Sequence, residues 1–107
     1  MKLEDIGHMG SFGIGMDRER RVGNWSFYDL VDSDGMVRVV YHYGTQMGRI
    51  VQESHDTGWN FQPVSTGWGS VSDQGGMNKV IRRFGWYYSR KGGEARYITL
   101  AEYNSGR

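Results

Sequence analysis

The 107-residue sequence contains no cysteine, a single proline and few leucines. Without cysteine, the chain can form neither a disulfide nor a thiolate metal site. The shortage of leucine argues against a bundle of helices. No apolar run approaches the roughly 20 residues of a membrane-spanning helix, and the first residues lack the apolar core of a signal peptide. We therefore expect a soluble, intracellular protein that does not bind membranes.

Aromatic residues and glycines are abundant instead. The chain has four Trp, seven Tyr, four Phe and 17 Gly, a composition that favours sheets and turns. Its length is that of one domain with a modest core. Residues 1–21 show weak periodicity, so we predict an irregular N-terminal arm, with Phe12 and Ile14 tucked onto the body. Residues 22–107 are predicted to form a single α+β domain.

Alternating apolar and polar residues predict several strands. The predicted strands are residues 24–32, 36–43, 46–53, 59–61, 86–90 and 95–102. Ser33-Asp34-Gly35 and Lys91-Gly92-Gly93-Glu94 supply turn residues that adopt positive φ. Residues 104–107 are predicted to be a frayed tail. The fold class is therefore α+β: a mostly antiparallel, curved sheet of about five or six strands with one amphipathic helix packed on it.

One segment carries a helical pattern, because its apolar residues recur at the spacing i, i+3, i+4, i+7. These residues are Met77, Val80, Ile81 and Phe84. Ser70 followed three residues later by Asp73 is a capping-box pattern, in which each side chain accepts from the backbone N–H of the other residue. Gly85 can end the helix in a left-handed conformation. We predict a helix that begins after Ser70, ends at Gly85 and lies on the sheet.

Positive charge is concentrated around this helix. The net charge of the chain is +1, but residues 74–98 alone carry +5 and the remainder −4. The basic residues of this segment are Lys79, Arg82, Arg83, Arg90, Lys91 and Arg96. Such asymmetry favours an anionic partner near the helix, with a solvated polar face as the alternative interpretation.

The start of the helix is rich in serine and glycine. A helix N-terminus offers free N–H groups and partial positive charge, so a phosphate or carboxylate could bind there. Asp73 counts against this interpretation, because its own carboxylate would occupy that field. Gly75 and Gly76 are costly inside a helix, which indicates a close approach by a ligand or by a neighbouring strand. Whether Ser70 only caps the helix or a ligand approaches this turn, we expect a Gly75→Ala, Gly76→Ala double variant to fold at least as well, and to lose activity only in the second case.

Further candidates lie on the helix face and among the aromatic residues. Asn78 and Arg82 are four residues apart and could grip a phosphate together, while exposed rings could stack on a base. The predicted ligand-binding residues are Tyr41, His42, Trp68, Ser70, Ser72, Gln74, Gly75, Gly76, Asn78 and Arg82. The histidines His8, His42 and His55 lack the spacing of metal ligands. We therefore assign no catalytic residues, no metal ligands and no cofactor, and an enzyme is the less favoured interpretation.

The stretch Gly67-Trp68-Gly69-Ser70-Val71-Ser72-Asp73-Gln74, followed by Met77-Asn78, belongs to a wider pattern with Tyr41-His42 and Gly44-Thr45 ahead of it. This pattern resembles a family of small bacteriophage proteins of uncharacterised function, over residues 41–84. The family has no established activity. The resemblance implies a viral origin, a location in the host cytoplasm, and a role against host machinery or host defence.

The leading hypothesis is a non-enzymatic phage accessory protein of the counter-defence kind. It would bind a phosphate-bearing small molecule, such as a signalling nucleotide, near the helix N-terminus. The alternative is an inhibitor that binds a host protein or a nucleic acid through an exposed aromatic and basic face. Trp86, Tyr87 and Tyr88 favour this alternative, since at least one ring lies outside the core unless both faces of the strand are covered. A homo-oligomer is left open, because the edges of a small sheet can pair.

Overall fold

A computed structural model gives the structure of residues 1–14, 16, 18–33, 35–52 and 58–106. Asp34 of the first predicted turn, Glu53 at the end of the predicted strand 46–53, His55 and Arg107 lie outside these described residues. The strands are β1 (Arg20–Val22), β2 (Trp25–Asp32), β3 (Gly35–His42), β4 (Thr45–Gln52), β5 (Asn60–Pro63), β6 (Trp86–Lys91) and β7 (Glu94–Thr99). The α-helices are α1 (Val71–Ile81) and α2 (Leu100–Ser105), and 3₁₀ helices span Leu3–Gly7, Met9–Ser11 and Arg82–Phe84.

The strands form two antiparallel sheets. In the main sheet, each strand from β1 to β4 pairs with the next strand along the chain, and β5 is the last strand. Strands β6 and β7 pair with each other in a second sheet. The turn between β6 and β7 is Gly92-Gly93, with φ values of 68° and 76°, and two successive positive values suit a two-residue hairpin turn. The α+β fold is confirmed, with the closing hairpin as a separate sheet.

Helix α1 begins and ends where the sequence pattern predicts. Ser70 is the N-cap, and its hydroxyl accepts from the backbone N–H of Asp73 at 3.1 Å. The Asp73 carboxylate accepts in turn from the N–H of Ser70 at 3.0 Å. The helix continues as the 3₁₀ turn Arg82–Phe84 and stops at Gly85, whose φ is 83°. The local signals at both ends are therefore sufficient to set the length of this element.

The core lies between the main sheet, α1 and the β6–β7 hairpin. It consists mainly of buried apolar side chains from these elements: Trp25, Phe27, Val40, Met47, Ile50, Phe61, Met77, Val80, Ile81 and Tyr88. A smaller apolar cluster, Val37, Val39 and Val51, lies on the opposite face of the sheet, as the alternation of side chains along β3 requires.

The N-terminal arm adds to this core. Ile6, in the first 3₁₀ helix, is fully buried against α1 and the sheet. Phe12 is tucked against the body as predicted, with its ring centroid 5.5 Å from that of Trp59. Ile14 is 66% exposed, so the prediction for that residue is wrong. Short 3₁₀ turns thus hold Ile6 in the core, whereas Ile14, further along the arm, lies on the surface.

A buried ion pair fastens the arm to the sheet. Arg38 is fully buried and donates to Asp29 through Nε at 2.6 Å and Nη2 at 2.8 Å. Its Nη1 donates to the carbonyl of Ile6 at 2.9 Å. Arg20 donates to the same aspartate at 2.7 Å, and the backbone N–H of Gly13 does so at 2.9 Å. This carboxylate therefore joins the arm, β1, β2 and β3.

The C-terminal end differs from the prediction. Residues 100–102 were expected to continue a strand and residues 104–107 to fray, yet Leu100–Ser105 forms α2. Thr99 and Glu102 make a second capping box, in which the backbone N–H of Glu102 donates to Oγ1 of Thr99 at 3.1 Å. The strand prediction fails because this start signal overrides the alternation of the preceding residues. Neither α-helix described is long and apolar enough to cross a membrane.

Candidate functional site

The start of α1 is occupied by the Asp73 carboxylate. Its Oδ2 accepts from the backbone N–H groups of Trp68 and Ser70, each at 3.0 Å, and from the Ser70 hydroxyl at 2.9 Å. Its Oδ1 lies 2.6 Å from Nδ1 of His42. Burial opposes ionisation of Asp73, but the hydrogen bonds from Ser70 and His42 outweigh it and lower the pKa of this carboxyl. A negative charge already stands where the sequence predicted a bound phosphate.

His42 connects this carboxylate to the sheet. Its imidazole is buried and stacks on Trp25, with ring centroids 3.9 Å apart and planes 10° apart. Tyr41, the preceding residue of β3, faces the opposite side of the sheet, where its hydroxyl lies 3.3 Å from that of Tyr28. That hydrogen bond and partial burial raise the pKa of Tyr41 to about 12. The structure therefore separates these two predicted site residues.

The two adjacent glycines of α1 have different surroundings. A Cβ on Gly76 would overlap the indole ring of Trp25, which packs directly against the helix backbone. A Cβ on Gly75 would meet nothing within 4 Å. The expectation that both glycines accept alanine is therefore wrong for Gly76. Gly76 permits the close contact between α1 and Trp25 of β2, and contact with a neighbouring strand was the alternative interpretation to a bound ligand.

The predicted pair Asn78 and Arg82 is also divided. Oδ1 of Asn78 accepts from the backbone N–H of Tyr88 at 2.7 Å, and Nδ2 donates to the carbonyl of Tyr88 at 3.1 Å. This side chain docks β6 onto α1. Arg82 is exposed at the end of the helix, where its charge acts on the phenol of Tyr87. Only Arg82 of this pair faces solvent.

The serines and Trp68 remain near the helix start. The hydroxyls of Ser70 and Ser72 lie 3.1 Å apart, and Ser72 is exposed. The ring of Trp68 is 77% exposed, although its backbone is fixed by Asp73. Of the ten predicted site residues, Trp68, Ser70, Ser72 and His42 thus gather around Asp73. They form a capping unit with one protruding indole.

A cleft that the sequence did not predict lies on the outer face of the β6–β7 hairpin. Its volume is about 510 Å³, and it is bounded by the hairpin, by α2 and by one residue of α1. The polar and charged residues that line it are Gln74, Ser89, Arg90, Lys91, Arg96 and Glu102. Gln74 is the predicted site residue that reaches it. We call this site the hairpin cleft.

The hairpin cleft is electropositive. Its lining has three cationic side chains, Arg90, Lys91 and Arg96, and one carboxylate, Glu102, which gives a formal charge of +2. Nε of Arg90 donates to the carbonyl of Gly69 at 2.7 Å. Glu102 is held by its capping box with Thr99. In the described part of the chain, no ion pair joins Lys91 or Arg96 to a carboxylate.

The other end of the cleft is aromatic and apolar. Tyr87 and Ile98 are paired across the two strands, and Tyr103 of α2 stacks on Tyr87 with ring centroids 3.8 Å apart. Burial and the hydrogen bond with Tyr103 raise the pKa of Tyr87, so its phenol is neutral at neutral pH. Helix α2 thus covers one face of β6, and Tyr88 is buried in the core on the other. Tyr87 and Tyr88 thus pack on opposite sides of β6, Tyr87 against α2 beside the cleft and Tyr88 in the core.

The sequence did contain a signal for this site. Thr99 and Glu102 have the spacing of a capping box, a local signal in favour of a helix that includes Tyr103. Among the described residues, no group of three or more histidine, aspartate or glutamate side chains could hold a metal ion. Comparison with known proteins adds no relative, since no protein-family model, curated protein or solved structure matches this chain.

Proposed function

We propose that this chain is a non-enzymatic binding protein that holds a phosphate-bearing small molecule in the hairpin cleft. The observation that carries the proposal is the convergence of Arg90, Lys91 and Arg96 on one concave site. A volume of about 510 Å³ is within the usual range for small-molecule sites. Arginine and lysine side chains recognise phosphate oxygens by charge-assisted hydrogen bonds.

The hairpin cleft is a better anion site than the start of α1. At the helix start, the Asp73 carboxylate already accepts the neighbouring backbone and hydroxyl donors. A phosphate there would face a buried negative charge with little solvent to screen it. In the cleft, cations outnumber carboxylates by three to one. The same sequence segment that suggested an anionic partner supplies these cations.

The biological role that we propose is that of a phage accessory protein that acts against host defence by sequestering its ligand. Its support is the resemblance of residues 41–84 to bacteriophage proteins. Sequestration requires binding without turnover, which is compatible with a cleft that combines cations with two stacked tyrosine rings.

Isothermal titration with phosphate-bearing compounds tests the proposal. The panel is inorganic phosphate and linear and cyclic nucleotides, first with the wild-type chain. Lys91→Gln removes one cation from the cleft, and Lys79→Gln is its matched control on the exposed surface of α1. We expect Lys91→Gln to weaken binding about tenfold, the worth of one charge-assisted hydrogen bond, and Lys79→Gln to leave it unchanged. Absence of heat across the panel at high micromolar concentration would sink the proposal.

A second candidate function rests on Trp68. Its indole is 77% exposed on a loop whose backbone is held by Asp73 and Arg90, so an aromatic side chain is presented rigidly to solvent. Rigid exposed tryptophans suit binding to a host protein or stacking on nucleic-acid bases. Pull-down from host lysate tests binding to a host protein, and a shift assay with single-stranded DNA at two salt concentrations tests nucleic-acid binding, which weakens steeply with salt where it depends on phosphates. Trp68→Ala should abolish either interaction while leaving nucleotide binding in the cleft intact.

A further inference from the structure

We infer that the hairpin cleft takes a nucleoside monophosphate, with the phosphate toward the hairpin turn and the base toward Tyr87 and Ile98. The inference rests on the function proposed above and narrows its ligand to a phosphate monoester with an aromatic body. Two features of the cleft carry it, a gradient of polarity along the hairpin and a match of charge.

The gradient follows from the register of β6 and β7. Tyr87 pairs with Ile98, and two residues further toward the turn Ser89 pairs with Arg96. Directly opposed residues share one face of the hairpin, so both pairs point into the same cleft. Two residues of a strand span about 7 Å. The apolar end and the cationic end of the cleft are therefore close enough for one small molecule to contact both.

Each end offers groups suited to one part of a nucleotide. At the cationic end, Arg96 and Lys91 can bind phosphate oxygens, and the Ser89 hydroxyl can donate to them. At the apolar end, Ile98 and the two stacked tyrosines provide a surface for a base. Neither end alone would select a nucleotide over a free phosphate or a free nucleoside, whereas the two together would.

Charge distinguishes a monoester from other phosphates. The lining carries a formal charge of +2, and a phosphate monoester carries about −1.5 to −2 at neutral pH. A diester carries one negative charge and leaves the cleft partly uncompensated. A triphosphate carries more negative charge than the lining compensates. Glu102 is held by Thr99, the residue after Ile98, so its carboxylate lies at the apolar end of the cleft. Glu102 therefore disfavours a phosphate at that end and favours the orientation with the phosphate toward the hairpin turn.

Isothermal titration of the wild-type chain with a graded series tests the inference. The series is a nucleoside, ribose 5-phosphate, a nucleoside monophosphate, a 3′,5′-cyclic mononucleotide and a nucleoside triphosphate. We expect the monophosphate to bind at least about tenfold more tightly than every other member of the series. Over ribose 5-phosphate, which lacks the base, a tenfold difference corresponds to one base-stacking contact. The affinity for the monophosphate should decrease as the pH is lowered past about 6, because the monoester then takes up its second proton and loses negative charge.

Variants of two residues test the match of charge and the contact with the base separately. Glu102→Gln keeps the capping box, since glutamine also serves at that position, and it raises the formal charge of the lining from +2 to +3. By the match of charge, triphosphate affinity should then rise about tenfold relative to that of the monophosphate. Tyr103→Ala should remove the preference for the monophosphate over ribose 5-phosphate, whereas Tyr103→Phe should keep it. If cyclic nucleotides or ribose 5-phosphate bind as well as the monophosphate, the inference is overturned while the proposed function stands. If no phosphate compound binds, both fail.

Discussion

Nδ1 of His42 lies 2.6 Å from Oδ1 of Asp73, and both side chains are buried between β3 and the start of α1. The same carboxylate caps the helix through Ser70, so one ionised group joins the capping box to the sheet. Hydrogen bonds within the chain therefore fix the serine-rich segment at the start of α1. This arrangement also makes the free energy of unfolding depend on the ionisation of Asp73.

The first prediction concerns acid stability. Burial opposes ionisation of Asp73, but hydrogen bonds from Ser70 and His42 lower its pKa in the folded protein. A carboxyl with a lowered folded pKa stabilises the protein above its unfolded value, near 3.9, and this contribution is lost as the pH falls through the folded pKa. We expect the free energy of unfolding of the wild type to decrease as the pH is lowered past about 4. Urea unfolding across this range measures it.

Two variants identify the group responsible. The Asp73→Asn side chain cannot ionise. The free energy of unfolding of this variant should therefore be lower than that of the wild type at neutral pH, and it should depend less on pH in the acid range. Glu94→Gln removes an exposed carboxylate at the hairpin turn and should keep the wild-type dependence. Identical pH profiles for the wild type and Asp73→Asn would contradict the role given to Asp73.

The second prediction compares the two glycines of α1. Gly75→Ala should stabilise the protein by up to about 1 kcal/mol, because alanine is the better helix former and the site is open. Gly76→Ala should destabilise it by about 1–3 kcal/mol, because the new methyl group forces Trp25 or the helix to move. Urea denaturation of the two single variants measures the difference. Equal stabilities would show that Trp25 and α1 are not in the contact described.

Local patterns predicted the parts of the fold that depend on local chemistry. The capping box of Ser70 and Asp73 and the turn at Gly92-Gly93 have short-range causes, and both are confirmed. The helix start at Thr99 had an equally local signal, but it followed an alternating stretch that favoured a strand. Competition between two local signals cannot be decided without knowing what packs on the hairpin.

The candidate site was harder to predict, because its residues come from separate elements. Gln74 from α1 and Tyr103 from α2 meet at the hairpin only after the chain has folded. The sequence did show the excess of positive charge to which Arg90 and Arg96 belong. It could not show that Asn78 would be used to dock β6, since an amide on a helix can equally face solvent.

The third prediction concerns alkaline pH. Burial raises the pKa of Tyr88 to about 12 and that of Tyr97 further, and Tyr41 and Tyr87 are also raised. A phenol with a raised folded pKa stabilises the protein fully below its unfolded value, near 10, and the contribution is lost as the pH rises through the folded value. Phenolate absorbance should therefore show these four tyrosines titrating above pH 10 in the folded chain.

The matching control is the same titration in denaturant, where all the tyrosines should ionise together near pH 10. Tyr97→Phe should remove one of the late-titrating groups. It also deletes a hydroxyl that donates to the carbonyl of Ser65 at 2.7 Å, so some stability should be lost at neutral pH as well. A folded chain in which all the tyrosines ionise near pH 10 would show that these phenols are not buried as described.

The last prediction concerns the contact between α1 and β6. Asn78 satisfies both the N–H and the carbonyl of Tyr88, a residue that is fully buried. Asn78→Ala leaves that N–H without its acceptor, while the carbonyl keeps only a long hydrogen bond of 3.4 Å from Gln74. Leaving buried polar groups unpaired costs about 1–3 kcal/mol, so the free energy of unfolding should fall by that amount. Arg82→Ala, one turn further on the exposed side of the helix, should change the free energy of unfolding by less than about 0.5 kcal/mol.

Hydrogen exchange gives a second measurement of this contact, because the Tyr88 amide should lose protection in Asn78→Ala and keep it in Arg82→Ala. Equal effects of the two substitutions would mean that Asn78 is a surface residue and that the hairpin is held to α1 by apolar contacts alone.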